Sequence, residues 1–178
     1  MSAPSDRDLI QRARRGDAEA FGELVVRYQA SVFNVCYRLL HERAGAEDMT
    51  QETLLRVRNR LGTFDEARAF GPWVRRVAAN VCLNHLEAQK NTADLDEERD
   101  ADEFQRPERQ VEDRERSEQI RAALASLPAH YRVVIELRHY QELSYEEIAA
   151  ELNIPLSDVK SNLFRARKLL AEKLHASI

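Results

Sequence analysis

Cysteine, glycine and proline are scarce in this chain of 178 residues, which has two, five and five of them respectively. Cys36 and Cys82 lie far apart in apolar surroundings, without a second Cys or a His at ligand spacing, so we expect two buried, reduced thiols and no zinc site. No apolar run approaches the length of a membrane span, and residues 1–16 lack the apolar stretch of a signal segment. We therefore expect a cytoplasmic protein with no membrane insertion.

Sequence signatures of catalysis are missing too. The chain has no Gly-rich phosphate loop, no paired-His metal motif and no nucleophile elbow, and its five His residues are scattered. We interpret His130, His139 and His175 as surface or helix-end groups. The sequence therefore predicts a protein that is not an enzyme, that uses no cofactor and that holds no metal.

The net charge of −4 is unevenly distributed along the chain. Residues 1–90 hold 14 Lys and Arg against 12 Asp and Glu, and residues 118–178 hold 8 of each. Residues 91–117, by contrast, hold 5 basic residues against 11 acidic ones. Because the local field depends on where charges lie, the overall acidity does not exclude a nucleic-acid-binding surface on either flank.

Strand alternation is nearly absent, and helical periodicity fills most of the chain, so we expect an all-α fold. In the first ninety residues the predicted helices run roughly over Asp6 to Arg15, Asp17 to Leu40, Ala46 to Leu61 and Ala67 to Gln89. The carboxylate-rich stretch that follows has hardly any apolar residue and cannot bury enough surface to stay ordered. We therefore predict two small helical bundles, residues 1–90 and 117–178, joined by an acidic flexible linker over residues 91–116.

The C-terminal bundle contains the pattern of a helix-turn-helix. Ser144 and Glu147 have the spacing of a capping box, and Asn153 and Pro155 interrupt the helix that follows. Ser157 is the predicted N-cap of a second helix. On that helix apolar residues recur at helical spacing, namely Val159, Leu163, Ala166 and Leu170. The basic residues of the same helix point elsewhere, which is typical of a DNA-reading helix.

Several longer segments agree with one known family. These are "DAEAFGELVVRYQASVFNVCYRLL", "AEDMTQETLLRVRNRL", "FGPWVRRVAANVCLNHL" and "ALASLPAHYRVVIELRHYQELSYEEIAAELNIPLSDVKSNLFRARKLL". In this order and spacing they resemble the sigma factors of bacterial RNA polymerase, specifically the small two-domain kind called extracytoplasmic-function sigma factors. The resemblance covers nearly the whole chain.

The resemblance implies that the segment from Ala46 to Leu61 docks on core RNA polymerase. The residues expected to do so are Asp48, Gln51, Glu52, Leu55 and Arg56. They combine short polar groups and one long cation around an apolar centre, which suits a helix-on-helix interface with a polar rim. Without the resemblance, the same residues would be interpreted as a solvated helix face with internal ion pairs.

The resemblance also implies that Phe70 to Gln89 meets the minus-ten element of promoter DNA and captures a flipped base, with the loop Gly62 to Glu66 as a wall of the pocket. The candidate residues are Arg75, Arg76, Asn80, Asn84, His85 and Lys90. Trp73 is either a stacking platform or a core residue, and its helical spacing with Phe70 favours the core. The family commonly has a basic cluster where this chain has residues 84–90, so the phosphate-binding field is weaker here.

The second helix of the helix-turn-helix is expected to read the minus-thirty-five element. Its candidate DNA-binding residues are Ser157, Lys160, Ser161, Asn162, Arg165, Arg167 and Lys168. The family often has Arg at the position of Asn162, and Ser157 with Asp158 replaces a more usual Gly and Thr. We therefore expect an unusual base preference at this element.

The predicted function is promoter-specific initiation of transcription in complex with core polymerase, with stabilisation of the melted strand. The expected partners are core RNA polymerase, promoter DNA and an anti-sigma protein. One alternative is a stand-alone helix-turn-helix regulator that dimerises on a palindrome, but such a protein has no need of a second DNA-facing helix. The other alternative is an adaptor that only binds a protein partner.

Overall fold

The computed structural model describes residues 3–92 and 111–176. All regular elements of these two ranges are helical, which confirms the predicted all-α class. The helices are α1 (Asp6–Arg14), α2 (Ala18–Leu40), α3 (Arg43–Arg60), α4 (Phe70–Thr92), α5 (Val111–Ala125), α6 (Ala129–Ile135), α7 (Tyr145–Leu152) and α8 (Leu156–His175). A short 3₁₀ turn, Leu61–Thr63, follows α3, and a π-helical turn, Glu136–Tyr140, follows α6.

Helices α1 to α4 form the N-terminal unit, in which α2 packs against each of the other three. Ser5 caps α1 in a capping box with Asp8, and the side chain of Asp17 caps α2. His41 ends α2 in the left-handed conformation, with φ of 57°. α4 begins at Phe70, so the prediction of a helix from Ala67 was wrong by one turn.

Helices α5 to α8 form the C-terminal unit, in which α6 and α7 pack against α8. α5 starts at Val111, inside the segment 91–116 that was predicted to be linker. Residues 91–92 of that predicted linker form the end of α4, and residues 93–110 lie outside the described residues.

The predicted N-cap of the last helix was wrong. α8 starts at Leu156 with Pro155 as its N-cap, so Ser157 already lies within the first turn. Its hydroxyl donates to Oδ1 of Asp158 at 3.3 Å. Proline has a fixed φ that suits the start of a helix, which explains why it displaces serine from this role.

The apolar cores of the two units are continuous. One cluster of buried residues runs from Leu9 and Leu24 in the N-terminal unit to Val133, Ile148 and Leu163 in the C-terminal unit. Helices α2 and α4 on one side meet α6 and the π-helical turn on the other. The two predicted bundles are therefore packed against each other in this structure.

Candidate nucleic-acid interface

The helix-turn-helix is formed as the sequence predicted. The Ser144 hydroxyl accepts from the Glu147 amide at 3.1 Å, and the Ser144 amide donates to the Glu147 carboxylate at 2.8 Å. Ile148, in the second turn of α7, is fully buried. Asn153 ends α7 in the left-handed conformation, with φ of 52°. The capping box sets the start of α7, and the left-handed Asn153 sets its end.

α8 turns its apolar stripe inward and its cations outward. Val159, Leu163 and Ala166 are buried, whereas Leu170 is only partly so. Of the predicted minus-thirty-five residues, six are exposed and Asn162 is half-buried; the six are Ser157, Lys160, Ser161, Arg165, Arg167 and Lys168. The structure therefore places six of the seven predicted DNA-binding residues of this helix on its outer face.

Phe164 is a surface residue that the sequence analysis missed. It lies among the cations of α8 and is 69% exposed. A shallow groove of about 490 Å³ is lined by Tyr145, Lys160, Phe164, Arg167 and Lys168. The signal was present in the sequence, because Phe164 lies outside the apolar stripe and four residues after Lys160.

The predicted polymerase-docking residues line a second groove, between α3 and α4. Leu55 is 56% exposed there, and Arg56 is paired with Glu52 one turn earlier at 2.7 Å. This groove of about 440 Å³ is lined by Asp48, Met49, Gln51, Glu52, Leu55, Arg56, Val81, Asn84 and His85. It therefore brings all five docking residues together with Asn84 and His85 of the minus-ten set.

Further along α4 the chain presents polar and basic groups. Nε2 of His85 lies 2.8 Å from Nε2 of Gln89, and Lys90 is exposed in the last turn.

Of the remaining three minus-ten residues, Asn80 and Arg76 contact the C-terminal unit through their side chains. Asn80 donates from Nδ2 to Oε1 of Glu151 at 2.7 Å, and Nε of Arg76 lies 3.3 Å from the other oxygen of the same carboxylate. The backbone carbonyl of Arg75 accepts from Gln141 at 3.4 Å, whereas its guanidinium lies beside Gly71 at the start of α4. The structure thus separates the minus-ten side chains: Asn84 and His85 line the open groove, and Asn80 and Arg76 lie in the contact between the units.

Trp73 packs in an aromatic cluster at the start of α4. Its ring lies 4.9 Å from that of Phe64 and 5.6 Å from that of Phe70, centroid to centroid. Such tilted aromatic contacts stabilise a core and hold the turn between α3 and α4 against α4. The structure supports the core role of Trp73.

An ion pair between the units also escaped the sequence analysis. Arg38 of α2 donates to both carboxylate oxygens of Glu136, at 2.9 and 2.7 Å. Burial alone would lower the pKa of Arg38, but the hydrogen bonds and the charge of Glu136 raise it above its ordinary value. Arg132 of α6 additionally donates to the backbone carbonyl of Leu39.

Cys36 and Cys82 are fully buried, free thiols. The hydrogen bond between the two thiols and their burial raise the pKa of Cys82 well above its usual range. Within residues 3–92 and 111–176, no group of three or more His, Cys, Asp and Glu side chains is arranged to hold a metal ion. None of the helices that the structure describes is both long and apolar enough to cross a bilayer.

Two families match the chain in consecutive parts. The family described as Sigma-70 region 2 matches residues 24–92, and the one described as Sigma-70, region 4 matches residues 117–170. The region 4 match contains the helix-turn-helix, and the region 2 match contains the groove between α3 and α4.

Curated relatives match over nearly their full length. RNA polymerase sigma-H factor of Pseudomonas aeruginosa is 31% identical, over 98% of this chain and 96% of the relative. ECF RNA polymerase sigma factor SigW of Bacillus subtilis is 33% identical over 93% of this chain and 94% of the relative. ECF RNA polymerase sigma-E factor of Escherichia coli K12 is 33% identical over 98% of this chain and 96% of the relative.

Two solved structures share the fold. CnrH in complex with the cytosolic domain of CnrY matches with a TM-score of 0.64 and 25% identity, over 97% of this chain and 99% of that one. The sigma factor RpoE in complex with the anti-sigma factor NepR from Bartonella quintana matches with a TM-score of 0.68 and 20% identity, over 89% of this chain and 98% of that one. The two family matches and the curated relatives of 31–33% identity show that the chain belongs to the extracytoplasmic-function sigma factors of the sigma-70 family.

Proposed function

We propose that this sigma factor binds core RNA polymerase and directs it to promoters by holding one DNA element with each of its two units. The observation that carries the proposal is the presence of two separate surfaces on one chain. One is the exposed cationic face of α8, and the other is the mixed polar and apolar groove between α3 and α4.

In this proposal the groove is the docking site for core polymerase. Leu55 supplies an exposed apolar anchor, and the Glu52–Arg56 pair forms part of a polar rim around it. A central apolar contact within a polar rim is the usual anatomy of a protein interface. Asp48 and Gln51 complete that rim.

The cationic face of α8 then reads the minus-thirty-five element as duplex DNA. Lys160, Arg165, Arg167 and Lys168 neutralise phosphates, while the first residues of the helix meet base edges in the major groove. α4 serves the minus-ten element, where Asn80, Asn84 and the nearby cations hold the melted strand.

The chain itself catalyses no reaction and uses no cofactor in this proposal, and it acts in the cytoplasm together with the polymerase. An anti-sigma protein is its proposed inhibitor. The supporting observation is that the solved complex of RpoE with NepR contains a chain of the same fold bound to an anti-sigma factor.

Transcription with purified core enzyme on a promoter library tests the proposal. The docking surface is tested by Leu55→Asp, with Val26→Asp as the matched control, because Val26 is an equally apolar residue that is 69% exposed outside the groove. We expect Leu55→Asp to abolish binding to core enzyme and Val26→Asp to leave it intact. Equal loss in both variants, or no start-site selectivity from the wild-type chain, contradicts the proposal.

The DNA-reading face is tested by Lys160→Ala and Lys168→Ala, with Arg15→Ala as a control that removes one exposed positive charge elsewhere. We expect each α8 variant to weaken promoter binding. The slope of the logarithm of the binding constant against the logarithm of the salt concentration should decrease in magnitude by about one. Arg15→Ala should change neither quantity. If Lys160→Ala and Lys168→Ala leave transcription unchanged, α8 is not the reading helix, as the adaptor alternative requires.

A stand-alone regulator is the alternative that the family matches do not favour. It would shift duplex promoter DNA without polymerase and as a dimer. We expect specific binding only when core enzyme is present.

A further inference from the structure

A small cavity lies where the end of α2 meets α5, α6 and the π-helical turn, and its volume is about 60 Å³. Leu39 of α2, Leu124 of α5 and Ile135 of α6 form the apolar part of its wall. None of the residues that line it belongs to the proposed polymerase-docking or DNA-binding sets. The cavity is therefore separate from the surfaces that carry the proposed function.

The apolar part of the wall suits a short aliphatic chain. Leu39 and Ile135 are 1% and 6% exposed, so a chain that contacts them is removed from water. One water molecule takes up about 30 Å³ in the liquid, so the cavity has room for about two groups of that size. Each methylene group that is buried there should strengthen binding roughly fourfold.

The cavity also carries an excess of positive charge. Arg38 and Glu136 line it, but their bidentate contact, at 2.9 and 2.7 Å, neutralises both charges. Arg121 and Arg132 line it too, and neither forms an ion pair within the part of the chain that the structure describes. Burial lowers the pKa of His41 in the same wall to about 4, and Arg132 and Arg121 add to this effect. The wall therefore disfavours a further cation and favours an anion.

Arg132 is poorly hydrated and has no anionic partner. Burial lowers the pKa of its guanidinium, and the weaker opposing effect comes from Cys82 and not from a carboxylate. Nη1 donates to the backbone carbonyl of Leu39, whereas Nε is buried and forms no hydrogen bond with any described residue. Nε2 of His41 is buried and unpartnered in the same way. Because a poorly hydrated cation without a partner is unfavourable, a carboxylate close to Arg132 should stabilise this wall.

Arg121 is positioned to bind the charged end of a ligand. It is an exposed residue of α5, and its Nε donates to the backbone carbonyl of Ser117 at 3.2 Å. Tyr140, which also lines the cavity, is 53% exposed. These two exposed side chains mark the side of the cavity that faces solvent. A carboxylate on Arg121 keeps part of its hydration there and accepts charge-assisted hydrogen bonds from the guanidinium.

We propose that this cavity binds a short-chain aliphatic monocarboxylate of about three or four carbon atoms, with its chain against Leu39, Leu124 and Ile135 and its carboxylate on Arg121. The apolar wall selects the chain, and the unpaired arginines select the negative charge. A second negative charge on the ligand is disfavoured, because the interior is apolar and the carboxylate of Glu136 lies in the same wall.

Isothermal titration calorimetry of the 178-residue chain with sodium acetate, propionate, butyrate and hexanoate tests the proposal. The titrations are done at constant ionic strength in a buffer free of carboxylates. We expect the affinity to rise about fourfold with each added carbon as far as butyrate and then to level off, because the cavity is full. Butyramide has a chain of the same length without the charge and should bind at least about tenfold more weakly than butyrate.

Saturation-transfer NMR tests the orientation of the bound ligand. The terminal methyl protons of butyrate should receive more saturation than the protons beside its carboxylate, because the methyl group lies deepest. The reverse order contradicts a chain that points into the cavity.

Two variants change the cavity at different places. Arg121→Gln removes the charge at the solvent side and should weaken butyrate binding about three- to tenfold. Arg116→Gln is the matched control, since it makes the same charge change on α5 at an exposed position outside the cavity, and it should bind as the wild type does. Leu124→Phe fills the interior and should abolish binding. Circular dichroism shows whether Leu124→Phe still folds, and Arg121→Gln decides if it does not.

Three results overturn the proposal. Equal affinity for butyrate in Arg121→Gln and Arg116→Gln means that Arg121 does not hold the carboxylate. Equal affinity for butyramide and butyrate means that the ligand is not selected by charge. The absence of saturable binding at millimolar concentrations of every carboxylate means that the cavity is no binding site. Each of these results is independent of transcription with core enzyme, which tests the proposed function.

Discussion

Arg14 of α1 forms an ion pair with Glu66 in the turn between α3 and α4. The same guanidinium donates to the backbone carbonyl of Leu61 at 2.9 Å and to that of Phe64. Gln11 adds a hydrogen bond to Glu66 at 3.1 Å, and that bond, more than the nearby arginines, holds the pKa of the Glu66 carboxyl below its usual range. A single side chain of the first helix thus ties down a turn about fifty residues later.

Arg14→Lys should loosen this turn, because an ammonium group cannot reach several acceptors in the planar geometry of a guanidinium. We expect the melting temperature to fall by a few degrees. If the turn walls the minus-ten pocket, selectivity among minus-ten sequences in transcription assays with core enzyme should also fall. Selectivity among minus-thirty-five sequences should not change; equal loss at both elements would mean that Arg14 acts only on overall stability.

His41 should make stability depend on pH. It lies at the end of α2 beside a small cavity of about 60 Å³ that Arg38, Arg121, Arg132 and Glu136 also line. Burial, with Arg132 and Arg121 adding to it, lowers the pKa of His41 to about 4, from 6.5 when unfolded. Between pH 6.5 and about 4, His41 is therefore protonated in the unfolded chain but neutral in the folded chain.

The stabilisation from neutral His41 is complete above pH 6.5 and is lost as the pH falls towards 4. We expect the free energy of unfolding to drop by on the order of 2 kcal/mol from this group across that window. His41→Asn keeps a residue that tolerates the left-handed conformation and removes the titration. Urea unfolding at several pH values gives the free energy of unfolding as a function of pH. Below pH 6.5 this free energy should fall more steeply for the wild type than for His41→Asn, and an equal pH dependence in both proteins would contradict the assignment.

Ser144 and Ser157 should respond differently to the same substitution. Ser144→Ala removes the capping box of α7 and should lower the free energy of unfolding by about 1 kcal/mol. Ser157→Ala removes a hydroxyl that bonds only its neighbour Asp158 and should change stability by less than about 0.5 kcal/mol. Urea denaturation of both variants measures the difference; equal costs would restore Ser157 as the N-cap.

Leu163 and Phe164 are adjacent in sequence, but Leu163 is buried in the core and Phe164 is exposed on the surface of α8. Leu163 is 1% exposed, so Leu163→Ala should cost about 2–5 kcal/mol of stability. Phe164→Ala should leave stability nearly unchanged but weaken binding to duplexes that carry thymine at the contacted position, because Phe packs against the thymine methyl group. Thermal unfolding and duplex titrations separate the two effects, and a large loss of stability in Phe164→Ala would show that its ring is part of the core.

Much of the local structure followed from short-range patterns. The Ser144–Glu147 capping box, the end of α7 at Asn153 and the inward stripe with Val159 and Leu163 were all predicted, because each depends on residues within about one or two helical turns. Where two local signals compete, the sequence is less decisive. Pro155 and Ser157 both suit the start of a helix, and the structure uses Pro155.

The order of the segments and their helical periodicity thus decided the all-α class, the helix-turn-helix and the outward cations of α8. Only the tertiary structure decided that Arg38 pairs with Glu136, 98 residues away, and that Glu151 binds Asn80, 71 residues away. The physical reason is that helical neighbours are set by a fixed spacing of three or four residues, whereas partners on different helices depend on how whole units pack. A single sequence carries no such spacing rule for distant pairs, so the contact between the two units became visible only in three dimensions.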